Sequence, residues 1–465
     1  MIGFETIGNA TVIVFDGKPL LATDPWIAGD AYFGSWGMRY VIPAEQKNHI
    51  LECEYCWLSH GHPDHTNAAS LDLLAGKTIL LPDHEGRRME KDLLQMGFRV
   101  RVLKDREWVQ LSTHVKVMSI ADYFQDGILL IDVNGRLLVD LNDATDRGWG
   151  GFVRKIVREY PVSFMLKLFG YGDADMINVR DESGKRLLPV APTHDQASLD
   201  FWDRLFVEKL MHFAHLFGTK YIIPFSIFHR YQRTDSAWAE AYTTPLDKYD
   251  LFKTAGVEML PAFIRWDCET DHFERISPPE APLQLKSPED FGDDWNQNLG
   301  VEEKRRLVEY FTRIDFLRSH LDQVDFVVGG ERIPIVMNPV AKTGRRITFE
   351  TPRASLMAAV DYQVFDDLLI GNFMKTTVHG NWGHGVAPHI LYEHLTPFIA
   401  RYADNAGLRT AQELKEYLSL YMKRSPLDFL LHRLELETIQ RVRRYVQPGT
   451  RLGRIATRAY SFIKR

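Results

Sequence analysis

The sequence predicts an α/β fold followed by an α+β region, on three observations. Short β-branched runs alternate with short helical stretches from Thr11 to Leu141, the pattern of layered sheets and helices. One strand, ending at Trp57-Leu58, opens into a loop crowded with metal-ligand residues, His60-Gly61-His62-Pro63-Asp64-His65. A stretch rich in Pro, Asp and Glu at 275–300 then separates this part from further helices and strands. The expected division is residues 1–274 as the site-bearing domain, 275–300 as a linker, and 301–465 as a C-terminal α+β region with a basic tail. A chain of 465 residues accommodates two or three such units.

Composition narrows the class. Hydrophobic residues make up 45% and charged ones 25%, which fits a globular chain and excludes disordered and fibrous types. A net charge of -6 gives no reason to expect nucleic acid. The N-terminus lacks a basic-then-apolar signal pattern, and no apolar run is long enough to span a bilayer. Three cysteines, Cys53, Cys56 and Cys268, argue for a reducing compartment, so a cytoplasmic location is expected. Cys53-x-x-Cys56 lacks a second pair near it and reads as buried structural thiols.

Taken in order, residues 4–27 read as two strands around the Asp16-Gly17 hairpin signal. Asp24-Pro25-Trp26 ends the second strand, and Asp24 is either a turn residue or a carboxylate that orients a metal-bound histidine. In the next loop, two imidazoles two residues apart on extended backbone point the same way, so His60 and His62 reach one ion. Asp64 and His65 turn toward a neighbouring position. Four ligand-type residues in six positions mark a bound metal, and the loop resembles that of the metallo-β-lactamase superfamily. That resemblance implies an αββα sandwich with further ligands at later strand ends.

Beyond the loop, helices are expected at 69–74 and 87–96, and strands at 77–81, 98–103, 115–118, 127–133 and 136–141, the last two joined by Asn134-Gly135. The superfamily supplies a histidine before the strand at 127–133. None is present, and Asp122 occupies the expected place, while His114 reads as structural. The bridging carboxylate falls to Asp143, with Asp140 as runner-up, and the last histidine to His229 after the strand at 221–225. The expected centre is therefore dinuclear, with His60, His62 and Asp122 on one ion, Asp64, His65 and His229 on the other, and Asp143 bridging. Asp64 and His229 take the catalytic roles. The loop at 169–175 reads as a cleft wall, His194 as a helix-start residue before a helix from Ser198 to Phe217, and the histidines from His379 to His394 as a loop over the site. Residues 441–465 carry eight basic residues and no acidic one, giving either a solvated helix face or peripheral membrane contact.

Asp24-Pro25-Trp26-Ile27-Ala28-Gly29-Asp30-Ala31-Tyr32, Gly34-Ser35-Trp36, the ligand loop with Leu73-Leu74-Ala75-Gly76, the run from Asp126 to Asp143, and more loosely Leu369 to His394 resemble the CMP-N-acetylneuraminate hydroxylase family. The Rieske Cys-x-His and Cys-x-x-His pairs of that family are absent from this sequence. The resemblance implies an iron-dependent oxygenase or hydroxylase acting on a sugar nucleotide, amino sugar or similar polar small molecule. Electrons would then come from an external ferredoxin or reductase. Asp122 adds a hard oxygen donor, which favours iron, or manganese, over zinc. The alternative is a zinc hydrolase of a phosphodiester, ester or lactone.

Overall fold

The structure, a computed structural model, describes residues 1–168, 177–187, 216–243, 257–337, 343–380 and 408–443, with Phe213, Lys253, Thr254 and Pro339. The expected loop at 169–175, His194, most of the helix at 198–217, the histidines beyond His379 and the tail beyond Arg443 lie outside the described residues.

Alternation along the strands builds four layers. In Thr11–Asp16, Val12 and Val14 face one core while Ile13 and Phe15 face another. In Gly127–Val133, Leu129, Ile131 and Val133 meet Val12 and Val14, whereas Ile128 and Leu130 point outward. Two sheets with apolar residues on both faces must be covered on both sides. They pack on one another and carry helices outside. Ile50, Leu71 and Leu93, from helices Ala44–Glu52, Ala68–Leu73 and Arg88–Gln95, cover the first sheet. Val153, Ile156 and Val157 of Gly150–Val157 cover the second. The result is the expected αββα sandwich.

The first sheet runs, edge to edge, through His272–Arg275, Ile264–Asp267, Ile2–Ile7, Thr11–Asp16, Lys18–Thr23, Tyr55–Trp57, Thr78–Pro82 and Arg99–Leu103. The second runs through Lys253–Thr254, Val257–Met259, Tyr221–Phe225, Ser163–Leu168, Arg136–Asn142, Gly127–Val133, Val115–Ala121 and Trp108–Gln110. The expected two-strand reading of 4–27 misses Ile2–Ile7, because Gly3 and Glu5 break its apolar pattern. Gly3 is required there, since a Cβ would meet the Trp266 carbonyl oxygen. Phe4, Phe164 and Trp266 lock the sheets together, with centroids 5.0 Å and 4.7 Å apart at the two Phe164 contacts. Such aromatic pairs contribute about 1 kcal/mol each beyond area burial.

The C-terminal region holds a five-stranded sheet in the order Val179–Arg180, Lys375–His379, Arg346–Glu350, Gln323–Val328, Glu331–Val336. Its first strand comes from the N-terminal part of the chain, Val179 pairing with Thr376. The stretch at 275–300, expected as a linker, is hydrogen-bonded along its length. Val41 donates to the Pro279 carbonyl, Lys286 to that of Gln232, and Thr234 to that of Lys286. Helix Phe365–Ile370 is anchored by Phe365, whose ring lies 5.1 Å from both Phe311 and Phe349. Among the described residues, no helix is long and apolar enough to cross a membrane.

Candidate metal centre

Strand ends at one rim of the sandwich assemble the site: Asp24 after Lys18–Thr23, the ligand loop after Tyr55–Trp57, Asp143 after Arg136–Asn142, and His229 after Tyr221–Phe225. Three of these turns are left-handed at non-glycine residues: Asp24 at φ 36°, Asn142 at 50° and Ser226 at 58°. Strain of this kind concentrates where side chains must be aimed rather than merely packed. The loop itself is fixed by its own backbone. His65 and Thr66 N–H groups donate to the His62 carbonyl, the Thr66 hydroxyl donates to that of His60, and Asn67 caps the following helix.

Each imidazole of the loop has one nitrogen held by an oxygen and the other aimed inward. His60 Nδ1 is 2.9 Å from Ser59 Oγ, which donates to Asp24 at 2.6 Å. His65 Nδ1 is 3.1 Å from Asp24 Oδ2. His62 Nε2 is 3.1 Å from Asp366 Oδ2. That leaves His60 Nε2 and His62 Nδ1 2.9 Å apart, but the donor groups divide differently from the expected pairing of His60 with His62 and Asp122: His60 clusters with His65 and Asp143, and His62 with Asp366 and Asp367. Asp24 is thus an orienting carboxylate rather than a plain turn residue. Its oxygens also accept from the Ser59 N–H and from Asn142.

Asp143 faces this point. Its Oδ2 lies 3.5 Å from His65 Nε2 and 3.7 Å from His60 Nε2, while Oδ1 accepts from the Ser226 hydroxyl at 2.7 Å. The donor atoms of His60, His65 and Asp143 all lie within 4.8 Å of one another. Asp143, and not Asp140, occupies this position. Asp64 accepts from Tyr32 at 2.6 Å and Asn9 at 3.0 Å, with Oδ2 3.2 Å from His65 Nε2. His229 is 3% exposed and lies face to face on Trp36, centroids 3.5 Å apart. Neither of its ring nitrogens has a hydrogen-bond partner. A buried imidazole with both nitrogens unsatisfied is costly unless another group takes one up. Together with the aimed nitrogens and carboxylates, this donor set fits a divalent metal ion.

Electrostatics follow the same grouping. Burial, then the neighbouring imidazoles His65 and His62, pull His60 down to about 4. Burial also pulls on His62, but the hydrogen bond and charge of Asp366 outweigh it and raise it to about 9. His65 is raised well above its usual value because the Asp64 and Asp143 carboxylates overcome burial. The same pairing overcomes burial to depress both carboxyls, Asp143 to about 2. Burial, with a lesser push from the Arg39 charge, carries His229 down to about 3 against the pull of Asp64 and Asp143.

Asp122 requires a correction. Its Oδ2 is 2.6 Å from the Arg147 guanidinium, and its Oδ1 accepts from the Phe124 and Asp126 N–H groups. Arg147 also binds Asp126 at 2.7 Å. A carboxylate neutralised by a buried guanidinium is withdrawn from metal binding, and Asp122 joins no ligand cluster among the described residues. The sequence reading missed Arg147, which lies 25 residues further on. It also missed Asp366 and Asp367, both buried, which with His62 form a second cluster of donors. No local motif announces them. The other sequence assignments concern residues away from the cluster. His114 pairs with Asp16 at 2.7 Å, and the three cysteines are buried and unpaired.

No family model matches the chain. Over 152 residues it is 26% identical to the cytidine monophosphate-N-acetylneuraminic acid hydroxylase of Asterias rubens, covering 30% of this chain and 23% of that protein. Over 149 residues it is 22% identical to the Danio rerio hydroxylase, covering 30% and 25%. The match thus spans about a quarter of the length of these curated relatives. Similar solved structures include a metallo hydrolase from Ignicoccus hospitalis, at 13% identity over 57% of this chain and 97% of that one, TM-score 0.36. An isothiocyanate hydrolase from Delia radicum gut bacteria aligns at 16% identity over 49% and 85%, TM-score 0.32. The chain carries an αββα sandwich and, over 30% of its length, resembles the cytidine monophosphate-N-acetylneuraminic acid hydroxylases.

Proposed function

We propose that this chain is a metal-dependent enzyme, and specifically an iron-dependent oxygenase or hydroxylase. The observation that carries the reading is the group of His60, His65 and Asp143, two imidazoles and one carboxylate converging at the rim of the sandwich where Asp143 is 26% exposed. Two histidines and a carboxylate with open positions are the donor set of non-haem ferrous oxygenases. Asp122 no longer contributes, so the hard-oxygen argument rests on Asp143 and Asp64. The hydroxylase resemblance supports the same reading and supplies its substrate class, a sugar nucleotide, amino sugar or similar polar small molecule.

Iron held by these donors would supply dioxygen activation. The chain's own residues aim and screen the site. Asp24 and Ser59 fix the ring planes of His65 and His60. Ser226 holds one Asp143 oxygen so that the other faces the imidazoles. Tyr32 and Asn9 hold the Asp64 carboxylate in place, and Trp36 covers one face of His229. Two electrons per hydroxylation would come from a separate ferredoxin or reductase.

The same donors accept zinc, which would support hydrolysis of a phosphodiester, ester or lactone. One experiment separates the two. Metal-free protein is loaded anaerobically with ferrous iron, reduced, and exposed to oxygen with CMP-N-acetylneuraminic acid or free amino sugars. Oxygen-dependent product after one turnover, sustained only with an added reductase, is expected. Sustained anaerobic hydrolysis by zinc-loaded protein, with no oxygen-dependent product from the iron form, would overturn the oxygenase reading.

A further inference from the structure

The C-terminal region reaches into the centre at His62, beside which Asp366 and Asp367 stand. His62 Nε2 meets Asp366 Oδ2 at 3.1 Å across 304 residues of sequence, and both side chains are buried. The other two imidazoles of the loop are held by groups close to the loop in the fold, Ser59 and Asp24. His62 is held from a different region. Its second nitrogen, Nδ1, is the one that converges with His60 Nε2.

We propose that Asp366 is the positioning residue for His62, so that the metal centre is completed only when the C-terminal region is docked on the sandwich. A metal-binding imidazole is held in one tautomer and one ring plane by the acceptor at its far nitrogen. Asp366 is that acceptor here. With the far N–H given to Asp366, Nδ1 would be the nitrogen offered to an ion, and the carboxylate's negative charge would strengthen the imidazole as a donor. Its placement is not adjustable. Phe365 is wedged against Phe311 and Phe349, and Leu368, Leu369 and Ile370 are buried, so the short helix Phe365–Ile370 has one seating. Trp36, Tyr32 and helix Phe365–Ile370 all belong to one apolar cluster with the C-terminal sheet, which ties that seating to the floor of the site. Metal binding and docking of the C-terminal region are then linked equilibria, each favouring the other.

This rests on the metal reading above, and the two fail differently. Metal-free wild type, Asp366→Ala, Asp366→Glu and Asp361→Ala are titrated with cobalt(II), reading affinity and the visible ligand-field spectrum. Circular dichroism checks that each variant is folded. Asp361 sits on the preceding helix, is exposed, and should behave as wild type. Asp366→Ala should weaken binding about 10- to 100-fold and change the spectrum. Asp366→Glu should recover part of both. If the alanine variant unfolds, Asp366→Asn, which keeps an acceptor oxygen without its charge, should still bind measurably more weakly than wild type. Wild-type affinity and spectrum in Asp366→Ala, or in the asparagine variant read in its place, would overturn the proposal. So would loss of one ion per chain with the remainder bound as before, since Asp366 would then be a ligand. Failure of wild type itself to bind cobalt would remove the metal reading and this inference with it.

Discussion

At the scale of single residues, the site is a set of aimed side chains, and Asp24 is the hub of the aiming. It receives His65, Ser59 and Asn142 in a fully buried position. Asp24→Ala should therefore weaken metal binding about 10- to 100-fold while His65 and His60 remain in the chain. Metal titration with His65→Ala as the reference checks this, and unaltered affinity would leave Asp24 a turn residue after all. His84 behaves differently. It is buried, and burial lowers it to about 3. An unfolded chain protonates this imidazole near 6.5, so its contribution to stability is complete above that pH and is lost as pH falls toward 3. In metal-free protein, His84→Leu should lose about 2 kcal/mol less stability than wild type between pH 7 and pH 4.5, by urea unfolding at both pH values. Residues of the ligand loop were legible because their spacing alone encodes convergence. Asp122 was misread because the identity of a carboxylate says nothing of the guanidinium that neutralises it. Arg147 becomes relevant only when the strand end at Ala121 and the turn before Gly150 meet.

Elements position these residues by close approach. The strand Gly127–Val133 begins beside the ligand loop, where a Cβ on Gly127 would lie 2.6 Å from the Ser59 carbonyl oxygen, 2.9 Å from Pro82 and 3.1 Å from Trp57. Gly127→Ala must push the loop outward, and about 1–3 kcal/mol of destabilisation is expected, with metal affinity reduced alongside. Thermal unfolding and metal titration of the purified variant measure both, and an unchanged loop would show as wild-type values in each. The elements themselves were largely legible. Continuous β-branched and apolar runs marked the strands Thr11–Asp16 and Gly127–Val133 without telling which residue faces which core, and Asn134-Gly135 marked the hairpin between Val133 and Arg136. What escaped was Ile2–Ile7, whose glycine and buried Glu5 obscure the pattern, and helix Ala44–Glu52, whose polar residues give a weak apolar stripe.

At the scale of the whole molecule, the two regions are interlocked rather than strung together. Val179–Arg180 joins the C-terminal sheet, and Asp366 reaches His62. The stretch at 275–300 is pinned where fully buried Arg233 binds Asp293, 2.9 Å away, whose oxygens also accept from Ser355. Removing one partner of a buried pair leaves an uncompensated charge, so Arg233→Ala should cost about 3–5 kcal/mol, read by denaturant unfolding. None of this was legible in sequence, because contacts across hundreds of residues leave no local periodicity or motif. The central claim is that the rim donors hold a metal ion, with His60, His65 and Asp143 at its core. Elemental analysis of wild type and of the His60→Ala/His65→Ala double variant, both loaded with ferrous iron and exhaustively dialysed under anaerobic conditions, tests it most directly. At least one iron retained per wild-type chain and essentially none in the folded double variant is the predicted result; equal iron in the two proteins, or none in either, would contradict it.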